Sequence, residues 1–271
     1  MDLPPAALPG SRTPRAGYDR TLASRYECKY FIDPARAQSI RHYLRALARL
    51  DRFSAAAEGS RYLVNSLYLD SRDLALYRMN VDGIRHRFKL RVRNYADGDG
   101  APAFFEIKRR ADGIIHKRRV RTGRREAEAF LESLVAGSPP SDLPDRQRLG
   151  EFGRLAVATG AVPAVRVRYW REAYESAGGS PVRVTFDTGV EFAVTPGAEL
   201  STRSGEWLPA PTEGVILELK FTDVFPAWVH TLVERYELGR CSISKYARSV
   251  ERALDRRALA ALPDWGARTL A

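Results

Sequence analysis

Three short runs place a carboxylate two residues before an ammonium: Glu27-Cys28-Lys29, Glu106-Ile107-Lys108 and Glu218-Leu219-Lys220. Others set guanidinium groups at the same spacing, in Arg91-Val92-Arg93 and Arg166-Val167-Arg168, and Lys117-Arg118-Arg119 adds a third basic run. Residues two apart in an extended chain share a face. One sheet face is therefore expected to carry Lys29, Arg91, Arg93, Lys108, Lys117, Arg119, Arg166, Arg168, Arg183 and Lys220. Like charges opposed on paired strands are destabilising, so such a set makes sense around an anion of high charge. Arginine suits bidentate phosphate contacts, and lysine supplies point charge.

The carboxylates sit in repeated positions. Each of Glu27, Glu106 and Glu218 either neutralises the lysine beside it or joins a divalent metal site, and the spacing serves both. Mg²⁺ and Mn²⁺ take oxygen ligands, often one or two carboxylates with substrate phosphates and water. Cations and a metal around an anion fit phosphoryl transfer, where positioning and charge stabilisation do most of the catalysis. Asp70 and Asp187, on polar strand faces, are lesser ligand candidates. The four histidines have no ligand spacing, and no Walker loop exists. Ser244-Lys245-Tyr246, at the head of a helical stretch, is either an ordinary cap or a phosphate-binding helix N-terminus.

The totals agree with an anionic partner. In 271 residues, 44 Lys and Arg stand against 33 Asp and Glu, a net charge of +11. Cys28 and Cys241 alone make neither a disulfide framework nor a zinc motif, so a reducing compartment fits. There is no signal-peptide core and no transmembrane segment, which leads to the expectation of a cytoplasmic protein. The aromatics mostly alternate on the apolar face, so no nucleic-acid partner is expected.

The elements follow from periodicity. Residues 1–23, rich in Pro and Gly, read as a disordered leader, residues 24–261 as one domain and 262–271 as a tail. Alternation marks strands at 24–32, 61–70, 87–95, 103–109, 114–121, 164–174, 181–192 and 215–221. Asp33-Pro34 starts a helix expected to run to about Leu50, and Asp112-Gly113 is a turn. Helices are expected near 125–135 and 145–159, separated by Ser138-Pro139-Pro140, and at 226–238 and 242–261. Hairpin-linked strands with late helices read as α+β with one antiparallel sheet, and eight strands are enough to close a barrel.

Seven motifs in order carry a resemblance. They are Arg25-Tyr26-Glu27-Cys28-Lys29-Tyr30, Leu90-Arg91-Val92-Arg93-Asn94-Tyr95, Phe105-Glu106-Ile107-Lys108, Arg166-Val167-Arg168-Tyr169, Arg183-Val184-Thr185-Phe186-Asp187-Thr188, Leu217-Glu218-Leu219-Lys220 and Ser244-Lys245-Tyr246. Together they resemble the VTC domain, the polyphosphate polymerase module of the vacuolar transporter chaperone complex, and its bacterial relatives among the triphosphate tunnel metalloenzymes. The resemblance implies an eight-stranded antiparallel tunnel with flanking helices, a basic lumen, and Mn²⁺ or Mg²⁺ bound with triphosphate. It implies transfer of the ATP γ-phosphate to a growing polyphosphate chain, or alternatively triphosphate hydrolysis or binding of polyphosphate or nucleic acid without catalysis. Lys29, Arg91, Arg93, Lys108, Arg166, Arg168, Arg183 and Lys245 would contact phosphates, and Lys220 would contact phosphate or balance Glu218. Lys117, Arg119, Ser244 and Tyr68 would complete the substrate site, with Glu218 the principal metal ligand beside Glu27 and Glu106. One departure is Arg25, which stands where the wider superfamily has the first Glu of Glu-x-Glu-x-Lys.

Overall fold

The computed structural model describes residues 25–256 and 258, apart from 99, 112–113, 138–145, 179–180, 213 and 223–224. The expected leader and tail, the Asp112-Gly113 turn and the Ser138-Pro139-Pro140 break lie outside the described residues.

Eight long strands form one antiparallel sheet: β1 (Arg25–Ile32), β3 (Tyr62–Asp70), β4 (Arg87–Asn94), β5 (Pro102–Ala111), β6 (Ile114–Gly123), β7 (Val162–Ser176), β8 (Val182–Val194) and β10 (Val215–Thr222). Their order is β1-β10-β8-β7-β3-β4-β5-β6, and two short strands, β2 (Ala48–Leu50) and β9 (Leu208–Pro209), pair with β7 and β8. This is the expected α+β architecture. Among the described residues no ladder joins β1 to β6, the two ends of the path. The sheet instead curls until side chains of β5 and β1 meet across it, as Lys108 and Glu27 do. Right-handed strand twist supplies the curl.

Helices cover the outer face. Alpha-helix α1 (Pro34–Leu44) begins as its sequence demands, with Asp33 accepting from the Arg36 amide at 2.7 Å and Pro34 in the first turn. It stops at Leu44, six residues short of expectation, because residues 48–50 leave the helix to pair with β7. A short helix, α2 (Arg52–Ala56), follows under an Asp51 cap, and α3 (Ala75–Val81) comes after β3. With α6 (Ala227–Arg235), α1 buries the outer side of β1, β10 and β8 around Ile40, Leu44, Val184, Leu217, Leu219 and Leu232. Helices α4 (Arg124–Val135) and α5 (Arg146–Thr159) do the same for β4 and β5. There Phe105 meets Phe130 and Phe152 edge-on, with centroids 5.2 and 4.9 Å apart, a geometry worth about 0.5–1.5 kcal/mol per pair beyond area burial.

The last helix, α7 (Lys245–Asp255), packs at one end of the curl instead. Tyr246, Val250 and Ala253 lie among Val64, Tyr68, Val167, Tyr169 and Ile216. Tyr246 stacks on Tyr68 at 4.7 Å, and its hydroxyl donates to buried Asp70. No helix among the described residues is long and apolar enough to cross a membrane.

Candidate functional site in the lumen

Register decides which side chains enter the curl. Glu27 lies opposite Lys220, and Lys29 opposite Glu218; Glu218 faces Thr185 and Lys220 faces Arg183 across β10–β8. Asp187 faces Arg171, and Arg171 faces Tyr62. Ser66 and Tyr68 face Arg93 and Arg91, Arg91 faces Glu106, and Glu106 faces Arg119. Lys89, Lys108 and Lys117 make one row across β4, β5 and β6. Partners directly opposite share a face, so these residues line a single concave surface.

Two carboxylates meet on that surface. Lys29 reaches both Glu27 and Glu218, and the charge of Glu218 acts on Glu27. Around them Lys29 lies 3.0 Å from Glu27 and 3.9 Å from Glu218, Lys220 is 3.0 Å from Glu218, and Lys108 is 3.1 Å from Glu27. Burial raises both acids, but Lys220, Lys29 and Arg171 hold Glu218 well below the usual carboxylate range. Burial and Glu218 likewise raise Glu27, and Lys29 with Lys108 more than offsets them. Both groups are therefore anions at neutral pH. The same carboxylates reverse the effect of burial on Lys29 and raise its ammonium.

Glu106 is elsewhere. Only 1% exposed, it is held by Arg91 at 2.6 Å, Lys117 at 2.7 Å and Arg119 at 3.2 Å. Arg91, Arg93 and Lys117 pull it well below its ordinary value despite burial. The third metal-ligand candidate is thus separated from the Glu27–Glu218 pair and serves as a counterion for the arginines. Among the described residues no three His, Cys, Asp or Glu side chains gather where a metal could sit. Two carboxylates suit Mg²⁺ or Mn²⁺ only when phosphate oxygens and water complete the shell.

The other candidates divide clearly. Lys29, Lys89, Arg91, Arg93, Lys108, Lys117, Arg119 and Lys220 line the curl. Arg91 donates to Tyr68 at 3.1 Å and Arg93 to Ser66 at 3.1 Å, so both guanidinium groups are held from below. Lys245 meets Asp187 at 2.7 Å, and its ammonium lies 4.5 Å above the Tyr169 ring. Ser244 caps α7 through the Ala247 amide and also accepts from Lys89 at 2.8 Å, while Lys29 donates to the Ile243 carbonyl at 3.0 Å. The helix start is therefore both a cap and part of the cationic surface. Arg183 shares the face but is tied to Asp51 and Glu175 at its edge.

Arg166 and Arg168 do not join them. They share the opposite face of β7 with Leu67 and Asn65 of β3. Arg166, 3% exposed, donates to the Ser201 carbonyl and Ser204 hydroxyl at 3.1 Å. Arg168 donates to the Thr202 carbonyl and Glu191, and both stack on Trp207. Gly205 makes room for this, since a Cβ there would lie 2.3 Å from an Arg166 nitrogen. This stretch of β7 turns Val167 and Tyr169 inward, against α7, and so sends the two arginines outward.

Sequence reading missed Arg171 and Lys89. Arg171 binds Asp187 through two bonds of 2.7 and 2.8 Å and approaches Glu218 at 3.7 Å. Burial raises Asp187, yet Arg171 and Lys245 bring it down to about 2. Arg171 continues the inward face of Val167 and Tyr169, which carries no charge before it, so the outward-facing arginines masked that signal. Lys89 was legible in the Phe88-Lys89-Leu90-Arg91 alternation. The expectation about aromatics also changes, because Tyr62, Tyr68, Phe104 and Tyr169 share the ionic face.

Comparison with known proteins gives the following likenesses. Three solved structures are similar to this chain at low identity. An adenylate cyclase candidate from Bacillus halodurans is 12% identical, with 82% of this chain and 94% of that one covered and a TM-score of 0.48. An adenylyl cyclase candidate from Hippeastrum, described as having a dominant triphosphatase activity, is 14% identical over 84% and 96%, with a TM-score of 0.46. The PH1819 protein from Pyrococcus horikoshii is 12% identical over 86% and 99%, with a TM-score of 0.41. No curated protein matches by sequence. The family model of the VTC domain matches residues 24–254, nearly the whole described chain, and the protein belongs to that family.

Proposed function

We propose that the protein is a metal-dependent phosphotransferase that moves the ATP γ-phosphate onto a growing polyphosphate chain within the curl of the sheet. The observation that carries this reading is the crowding of lysine and arginine from β1, β4, β5, β6, β7 and β10 around four carboxylates. A polyanion threaded between them would relieve repulsion that the protein alone cannot.

Glu27 and Glu218 would hold a divalent ion together with phosphate oxygens. The ion, when bound, supplies charge neutralisation and polarises the transferring phosphoryl group. Arg91 and Arg93, fixed by Tyr68 and Ser66, would orient non-bridging oxygens, and Lys29, Lys108 and Lys117 would offset charge on the chain. Lys245, at the start of α7, and Lys89, which reaches Ser244 from β4, would meet the far end of the anion.

Transfer to phosphate is favoured over transfer to water by the state of the acids. Glu27, Glu106, Glu218 and Asp187 are each bound to at least two cations and held as anions, so each is a weak base toward water. A terminal phosphate oxygen is already ionised and needs no base. Incubating the purified protein with ATP and Mn²⁺ and resolving the products by length tests the reading. Polymer is expected; free phosphate alone would assign hydrolysis instead, and the absence of both products would overturn the proposal.

A further inference from the structure

Opposite α7 the curl ends in aromatic rings. Strand β3 runs from Tyr62 to Tyr68 and Asp70, which touch α7, and six residues of strand span about 20 Å. Around Tyr62 stand Tyr95, Phe104 and Phe53, with Tyr62 centroids 6.0 Å from Tyr95 and 5.8 Å from Phe53, and Tyr95 5.9 Å from Phe104. Phe53 and Tyr95 are parallel within 5°, at 6.5 Å. Phe53 is 53% exposed. Guanidinium groups interleave with the rings: Arg119 lies 3.7 Å from the Phe104 centroid and donates to the Tyr95 hydroxyl, and Arg52 lies 4.6 Å from the Phe53 centroid.

This cluster adjoins the cationic surface. Phe104 is directly opposite Arg93, and Arg119 also binds Glu106. A triphosphate chain lying on Arg91 and Arg93 would therefore leave its nucleoside beside the rings. We infer that Phe53, Tyr62, Tyr95 and Phe104, with Arg52 and Arg119, form a stacking platform for the base of a nucleoside triphosphate. The inference rests on the triphosphate reading above and names the substrate class more closely. A planar base and a guanidinium-flanked aromatic ring suit each other through stacking and cation–π contact. Phe53, half exposed beside the Arg52 guanidinium, has ring surface open to solvent, and a purine covers more of it than a pyrimidine. The platform reads no base edge, so ATP and GTP should bind alike.

The test compares a non-hydrolysable β,γ-imido analogue of ATP with inorganic tripolyphosphate, by calorimetry at fixed Mg²⁺. Removing one stacking ring costs roughly five- to a hundredfold in affinity. Phe53→Ala should weaken the analogue by at least roughly fivefold and leave tripolyphosphate unchanged, while Phe53→Trp retains analogue affinity. An unchanged analogue affinity in Phe53→Ala would overturn the platform. So would equal weakening of both ligands, which marks a structural role, or tighter binding of a single-stranded oligonucleotide than of the analogue. Failure of the unaltered protein to bind tripolyphosphate would instead overturn the triphosphate reading, and the platform with it.

Discussion

Lys108 and Glu27 lie 81 residues apart in the chain, yet the lysine ammonium sits 3.1–3.2 Å from both carboxylate oxygens. Since β5 and β1 are not ladder neighbours, this pair spans the open side of the curled sheet. It acts as a side-chain clasp where a closed barrel would have backbone hydrogen bonds. The pair is partly exposed, so its coupling is expected to be modest, about 0.5–1 kcal/mol after solvent screening. A double-mutant cycle on Lys108→Met and Glu27→Gln, read by denaturant unfolding, measures it. Additive effects would mean that the clasp contributes nothing.

Glu218 is expected to matter for turnover and little for folding. Glu218→Gln keeps the shape and a hydrogen-bond acceptor for Lys220 but removes one of the two adjacent anions. Metal-dependent turnover should fall by at least about a hundredfold, and Mn²⁺ affinity in the presence of tripolyphosphate should fall with it. Retained turnover would show that the Glu27–Glu218 pair is an ion-pair network only.

The two faces of β7 give opposite expectations. Arg171, beside Asp187 and Glu218, should be required for tripolyphosphate binding, and Arg171→Met should weaken it about tenfold or more while leaving Asp187 to Lys245 alone. Arg168→Ala should leave binding within about twofold and lower the thermal midpoint instead, because it frees the Thr202 carbonyl and the Trp207 face. Parallel binding and thermal-shift assays separate them, and the reverse pattern would return Arg168 to the site.

Burial pushes the Lys117 ammonium down to about 7; Glu106 opposes that shift, and Arg91 and Arg93 reinforce it. A polyanion favours the charged amine. Below pH 7 the amine is already charged and contributes no pH dependence. Above pH 7 binding must take up a proton, so its share of the affinity falls toward tenfold per pH unit. Lys117→Gln should bind more weakly at pH 6 and lose this decline. The ligand's own titration is common to both proteins, so the difference between their pH profiles is the readout. Parallel profiles would remove Lys117 from the surface.

How far the chain could be read beforehand depended on whether each strand had one apolar face. In β1, β4, β5 and β10 it does, and alternation gave both their limits and the inward direction of Glu27, Lys29, Arg91, Arg93, Lys108, Glu218 and Lys220. In β7 it does not. Val165 and Val167 face α7 on one side, Arg166 and Arg168 face the 201–207 loop on the other, and both faces are buried. Charge then no longer marks the inside. Arg171 keeps the inward alternation of Val167 and Tyr169, but the arginines before it point the other way and so hid it. The same kind of competition ended α1 early, since Leu47 and Leu50 fit a helical stripe but residues 48–50 were claimed by β7. Pairing between distant strands decided these cases, and local pattern holds no record of it.

The central claim is that the lumen cations hold a triphosphate chain. Calorimetric titration of tripolyphosphate into the unaltered protein and into Arg91→Ala tests it most directly, at physiological ionic strength. Arg91 is half-buried between Tyr68 and Glu106, and its removal should cost at least about tenfold in affinity, with the thermal midpoint measured alongside. Equal affinity in a folded Arg91→Ala protein, or no binding to the unaltered one, would contradict the account.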